Sequence, residues 1–138
     1  MAEIIINEVA KYLNSLTATS QINVSLGTTL NLGKNLFVVY EQPNVATELT
    51  IIPYGGLPPN VDKYRQDSSF QLRLKAKNIH SSLKSMQELI NTLHENTKVC
   101  ASTPGKIEAI QSSPVILGWE EAEYLITVGN FKVKYIKL

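Results

Sequence analysis

Two histidines, one cysteine, three neighbouring glutamates and a glycine pair are the residues of this sequence best equipped for chemistry. His80 and His94 lie nearly four helical turns apart and cannot share a metal ion. A metal site needs three or four converging ligands, and no cysteine or carboxylate stands at helical or hairpin spacing around either one. Both read as solvated side chains on a helix. Cys100 follows His94 by a turn and a half, but a nucleophile also needs an orienting group and an oxyanion hole, which the spacing does not supply. It reads as a small, partly buried thiol that has no second cysteine to pair with, in keeping with a reducing compartment. Glu120, Glu121 and Glu123, beside Trp119 and Tyr124, read as solvated acids at a strand entrance rather than an acid/base pair. Gly55-Gly56 comes closest to a phosphate cradle, yet no lysine and no helix start follow, and Pro58 and Pro59 make a stiff turn of it. No enzyme activity, cofactor or metal is expected from these groups.

The cations are arranged more suggestively. In residues 68–77, Phe70, Leu72, Leu74 and Ala76 alternate with Gln71, Arg73, Lys75 and Lys77, the period of a half-buried strand. Farther along, Phe131, Val133 and Tyr135 alternate with Lys132 and Lys134. If the two strands share a sheet, Arg73, Lys75, Lys77, Lys132 and Lys134 form a positive patch able to meet DNA phosphates or an acidic protein surface. A solvated face whose lysines discourage edge-to-edge aggregation is the other reading. Aromatic residues do not interleave with the lysines, so no stacking platform for single strands is present. A net charge of +1 supplies no global field toward nucleic acid or membrane.

The elements that must position these groups follow from periodicity. The 138 residues fit one domain, with 43% hydrophobic and 18% charged residues. Ile5, Val9, Leu13 and Leu16 predict a helix over 3–16. Residues 17–35 read as a long loop or one short weak strand. Strands are predicted at 36–41, 48–53 and 68–77. Between the last two, Tyr54, Gly55, Gly56, Leu57, Pro58, Pro59, Tyr64 and Arg65 belong to a long punctuated excursion, the arm of a hairpin. Ile79, Leu83, Met86, Ile90 and Leu93 predict a helix over 81–96. A strand at 106–111 is expected to return parallel to its predecessor, followed by a loop at 112–118 around Pro114. Strand-like stretches at 123–128 and 130–138 meet at Gly129, which is either a hairpin turn or a bulge. The fold class is therefore α+β: one domain, a mixed, mostly antiparallel sheet of about four to six strands, two packing helices and a projecting arm. No signal peptide and no membrane-spanning helix are expected.

The ordered series of these segments resembles a known family. The helix of Ile5 to Leu16, the Leu36-Phe37 strand ending near Pro43, and the strand running into Gly55-Gly56 and Pro58 come first. Phe70-Gln71-Leu72-Arg73-Leu74-Lys75-Ala76 leading into a helix, Pro114-Val115-Ile116-Leu117-Gly118-Trp119-Glu120-Glu121, and Asn130-Phe131-Lys132-Val133 complete it. Over nearly its whole length the chain resembles the tail terminator, or tail-completion, proteins of long-tailed bacteriophages, often labelled minor capsid proteins. The resemblance implies a non-enzymatic α+β subunit that closes into a hexameric ring on the head-proximal end of the tail tube. Its partners would be other copies of itself, the major tail tube protein, a head-completion or connector protein, and DNA passing through the ring; no membrane is implied. Its place would be the virion tail, assembled in the bacterial host cytoplasm. The residues expected at interfaces are the arm, from Tyr54 through Arg65, and the cations Arg73, Lys75, Lys132 and Lys134. A neck protein between head and tail, and a DNA-binding module using the basic face, are the alternatives.

Overall fold

The computed structural model describes residues 2–17, 19–39, 47–54, 65–95, 105–120 and 124–136. Helix α1 (Ala2–Asn14) buries Ile6, Val9, Ala10 and Leu13, three and four apart. Val9 and Leu13 are shared with the predicted stripe, while Leu16 falls beyond the helix and is half-buried. A second helix, α2 (Gln21–Leu26), stands where a loop or weak strand was expected. Local capping makes it: the Ser20 hydroxyl accepts from the Asn23 N–H at 3.2 Å, and Gly27 closes the far end at φ 77°. Six residues carry too little apolar periodicity to announce a helix. Asn23, buried to 3% exposure, ties the segment down. Its Nδ2 donates to the carbonyls of Leu16 and Thr17, and its Oδ1 accepts from the Leu30 N–H.

The sheet begins with β1 (Leu36–Val38), parallel to β2 (Glu48–Tyr54). β2 pairs antiparallel with β3 (Arg65–Ala76), from Glu48 opposite Lys75 to Tyr54 opposite Ser69. Helix α3 (Ile79–Leu93) follows, opened by the Asn78 side chain accepting from the Ser81 N–H at 3.0 Å. β4 (Gly105–Ala109), β5 (Val115–Glu120) and β6 (Tyr124–Ile136) complete an open six-stranded mixed sheet. The order is β1-β2-β3-β6, with β4 and β5 both paired to the far edge of β6.

Three expectations change. β4 runs in the direction of β3, as a returning strand should, but β6 fills the place between them. The stretch around Pro114 is a loop only as far as Pro114, because β5 starts at Val115. β4 and β5 are thus two halves of one interrupted edge, both antiparallel to β6. Gly129 makes neither a hairpin nor a bulge: β6 passes straight through it, in register opposite Leu72. What requires glycine there is the helix above. An added Cβ would lie 3.1 Å from Met86 Sδ, 3.2 Å from the Phe131 ring and 3.4 Å from Ile90.

All three helices add side chains to one apolar cluster on one side of the sheet, with α1 over β1 and β2 and α3 over β3, β6 and β4. At its centre Phe70 and Phe131, directly opposite on β3 and β6, stack with ring centroids 5.2 Å apart and planes at 14°. Leu49, Ile51, Leu72 and Leu74 complete the floor, each fully buried. Two helices were expected and the described residues form three; the α+β class and the mixed, mostly antiparallel sheet stand as predicted.

Candidate functional site

Because β3 and β6 are antiparallel, residues late in β3 face residues early in β6. Lys75 stands opposite Ile126 and Arg73 opposite Val128, while Lys132 is opposite Ser69 and Lys134 opposite Asp67. The register therefore places Arg73, Lys75 and Lys132 on one face, the one turned away from the helices. It does not gather them. Six residues of β6 separate the positions of Ile126 and Lys132, about 20 Å at strand rise.

The expected open basic patch is also largely neutralised. Lys75 is 3% exposed, with its Nζ 3.7 Å from Glu48 Oε2 and 5.3 Å from the centroid of the Tyr124 ring. Thr50 donates to the other carboxylate oxygen, Glu48 Oε1, at 3.4 Å. This is a buried ion pair under an aromatic ring, held by the direct register of Glu48 with Lys75. Lys77, exposed, lies 5.5 Å from the same ring. At the other end Lys132 Nζ sits 3.6 Å from Glu108 Oε2, and Lys106 sits 3.6 Å from Glu108 Oε1. Arg73 is half-buried and lines a recess of about 250 Å³ with Leu117, Gly118, Trp119 and Ile126.

Of the expected arm, the backbones of Tyr54 and Arg65 are described, and they mark where the chain leaves β2 and enters β3. Gly55, Gly56, Leu57, Pro58, Pro59 and Tyr64 lie outside the described residues, as does Cys100. His80 is exposed on α3. His94 is exposed too, but its Nδ1 accepts from the Ala109 N–H at 3.0 Å, tying the end of α3 to β4. Beside it a 460 Å³ pocket opens between α3 and the interruption of the edge, lined by Ile90, Asn91, His94, Ile110, Gln111 and Ser112 among others. Gln111 Oε1 accepts from the Asn130 N–H, and Gln87 donates to the Ser112 carbonyl, so hydrogen bonds knit its rim. Among the described residues no three His, Cys, Asp or Glu side chains group as a metal site.

The feature missed in the sequence is β5. Val115, Ile116, Leu117 and Trp119 are 40%, 48%, 55% and 56% exposed on a strand that pairs, among the described residues, with β6 alone. A register shift between Ile116 and Gly118, with Gly118 at φ 136°, bends the strand there. The signal was an apolar run without a single charge from Val115 to Trp119. Read as a loop, it looked innocuous; as an edge strand it is a surface made for contact.

A family model described as "Bacteriophage tail terminator protein" matches residues 12–136, from the last turn of α1 to the end of β6. No curated protein matches the chain.

Proposed function

The chain belongs to the bacteriophage tail terminator family, and on that premise we propose that its copies close into a ring, a hexamer, on the head-proximal end of the tail tube. The ring stops tube polymerisation and presents the surface that the head joins. Its partners are components of tail and head: the major tail tube protein on one side, a head-completion or connector protein on the other, with DNA passing through the lumen. Assembly takes place in the bacterial host cytoplasm and the protein ends in the virion tail.

The observation that carries this reading is the family match across all six strands, α2 and α3. The surfaces support it. A ring needs two unlike patches on each subunit; the apolar β5 edge supplies one, and the segment joining Tyr54 to Arg65 is proposed as the other. The arm residues Gly55, Gly56, Leu57, Pro58, Pro59 and Tyr64 supply contacts to a neighbour or the tube. Arg73, Lys132 and Lys134 supply cations on a ring surface, whereas Lys75 acts inside the sheet. The protein performs no catalytic step: the close titratable groups Glu48 with Lys75 and Glu108 with Lys132 serve as ion pairs of the sheet. Those carboxylates also weaken the case for a DNA-binding module, since they offset cations that phosphates would have to meet.

Electron microscopy of particles assembled without the protein tests the reading. Overlong tails are expected from lost termination, and tails of normal length detached from heads would mark a neck protein instead. Normal virions would overturn both.

A further inference from the structure

Resting on the ring reading, we infer that the apolar β5 edge is the receptor for the 55–64 segment of a second copy of this chain, which makes the contact between subunits head-to-tail. Three observations lead there. The first is exposure without protection. Ile116, Leu117 and Trp119 are about half exposed on an edge strand free of lysine and of internal proline, the devices that normally blunt such edges. The opposite edge of the sheet is blunted: Leu32 bridges to Leu36 on β1, and the Gly33 N–H donates to the Leu36 carbonyl.

The second is chemical fit. The shallow recess of about 250 Å³ beside Trp119 is floored by Ile126 and bordered by Arg73. Leu57-Pro58-Pro59 is a stiff apolar tripeptide, and proline-rich extended segments dock on aromatic-lined surfaces with little ordering entropy to lose.

The third is reach. The segment leaves the sheet at Tyr54 and returns at Arg65, which stands opposite Ile136. The β5 positions flank Arg73 to Ala76 by way of Val128 to Leu125, eight to eleven residues along β3 from Arg65 and four to seven from Ser69, the residue opposite Tyr54. Three strand spacings also separate β2 from β5 and two separate β3 from it, so a path from Tyr54 to β5 and back to Arg65 needs about 47 Å. The eleven steps of chain between Tyr54 and Arg65 span at most about 40 Å. The segment therefore cannot cover its own β5 edge. Two unlike surfaces that cannot meet within one subunit are what head-to-tail closure into a ring requires.

The test pairs two variants that each break one half of the contact. One lacks residues 57–62; the other carries Leu117→Asp, with Trp119→Ser as a second choice should the first unfold. Circular dichroism and thermal melts establish that each remains folded. Mass photometry, free and on purified tail tubes, should find rings for the unaltered protein and monomers for either variant alone. An equimolar mixture should stop at one-to-one dimers, because one intact segment and one intact edge remain. In a Cys100→Ser background, Leu57→Cys with Leu117→Cys should give disulfide-linked oligomers and no internal cross-link. Rings from either variant alone, or a mixture that stays monomeric while the unaltered protein forms rings, overturns the inference and leaves the terminator reading standing. Edge variants that form rings but no longer bind tubes would reassign β5 to the tube, also against the inference. An unaltered protein that neither forms rings nor caps tubes removes the terminator reading itself.

Discussion

Leu74 and Lys75 are consecutive residues of one strand, point to opposite faces of the sheet, and are both buried, at 0% and 3% exposure. On the helix side Leu74 meets the apolar cluster under α1 and α3. On the other side Lys75 meets Glu48 and the Tyr124 ring. At these two positions the faces are dry by different physics. The first gains from removing hydrocarbon from water; the second holds two desolvated charges that are tolerable only together. Alternation in a sequence says which side a residue faces, and nothing about whether that side is wet.

The difference can be broken from either face, starting with the largest effect. Glu48→Ala leaves the Lys75 ammonium buried without its carboxylate and should cost about 4 kcal/mol in denaturant unfolding. A loss below about 1 kcal/mol would mean that Lys75 reaches water and the second face is wet. Leu74→Ala should cost about 3 kcal/mol by the same measurement, through lost transfer energy and a residual cavity. Gly129→Ala probes how tightly α3 lies on the sheet. Met86 can yield, but the Phe131 ring is held against Phe70, so a loss of about 1–2 kcal/mol is expected. A neutral or stabilising result would show slack under α3. The smallest net effect sharpens the contrast most. Replacing the pair together, Glu48→Leu with Lys75→Met, should leave stability within about 1 kcal/mol of the original or raise it. If the double variant is as damaged as Glu48→Ala, the pair does more than balance its own charges.

These contrasts mark where sequence reading succeeds. Phe70, Leu72 and Leu74 announce themselves because one strand face is apolar, and Met86, Ile90 and Leu93 because they recur at helical spacing, although Ser82 and Ser85 are buried beside them and Ile79, predicted in the stripe, is exposed. α2 escapes because its definition lies in Ser20, Asn23 and Gly27, single polar and backbone events rather than a period. Lys75 misleads because its partner, Glu48, is distant in sequence and adjacent only through register. Gly129 misleads in another way: glycine suggests a turn, but here it marks the close approach of a helix, which depends on Met86 and Ile90. Alternation puts Arg73, Lys75 and Lys132 on one face, yet the carboxylates that answer Lys75 and Lys132 become legible only once β2, β3, β4 and β6 are laid side by side. The β5 edge required knowing that β6 has one flank occupied by β3 and the other shared by β4 and β5.

The position of β6 also bears on how the protein is made. Among the described residues it follows every other strand, yet it is the one that β3, β4 and β5 all pair with, and Arg65 must wait for Ile136. Until β6 leaves the ribosome, β3 has an open flank and β5 has no partner to hold it in the sheet. Pairings this distant in sequence form late and slowly, and domains generally fold as units during synthesis. A nascent chain therefore cannot display an ordered β5 edge before its own sheet is closed. Strand order acts as a timer, withholding the apolar β5 edge until β6 has been made.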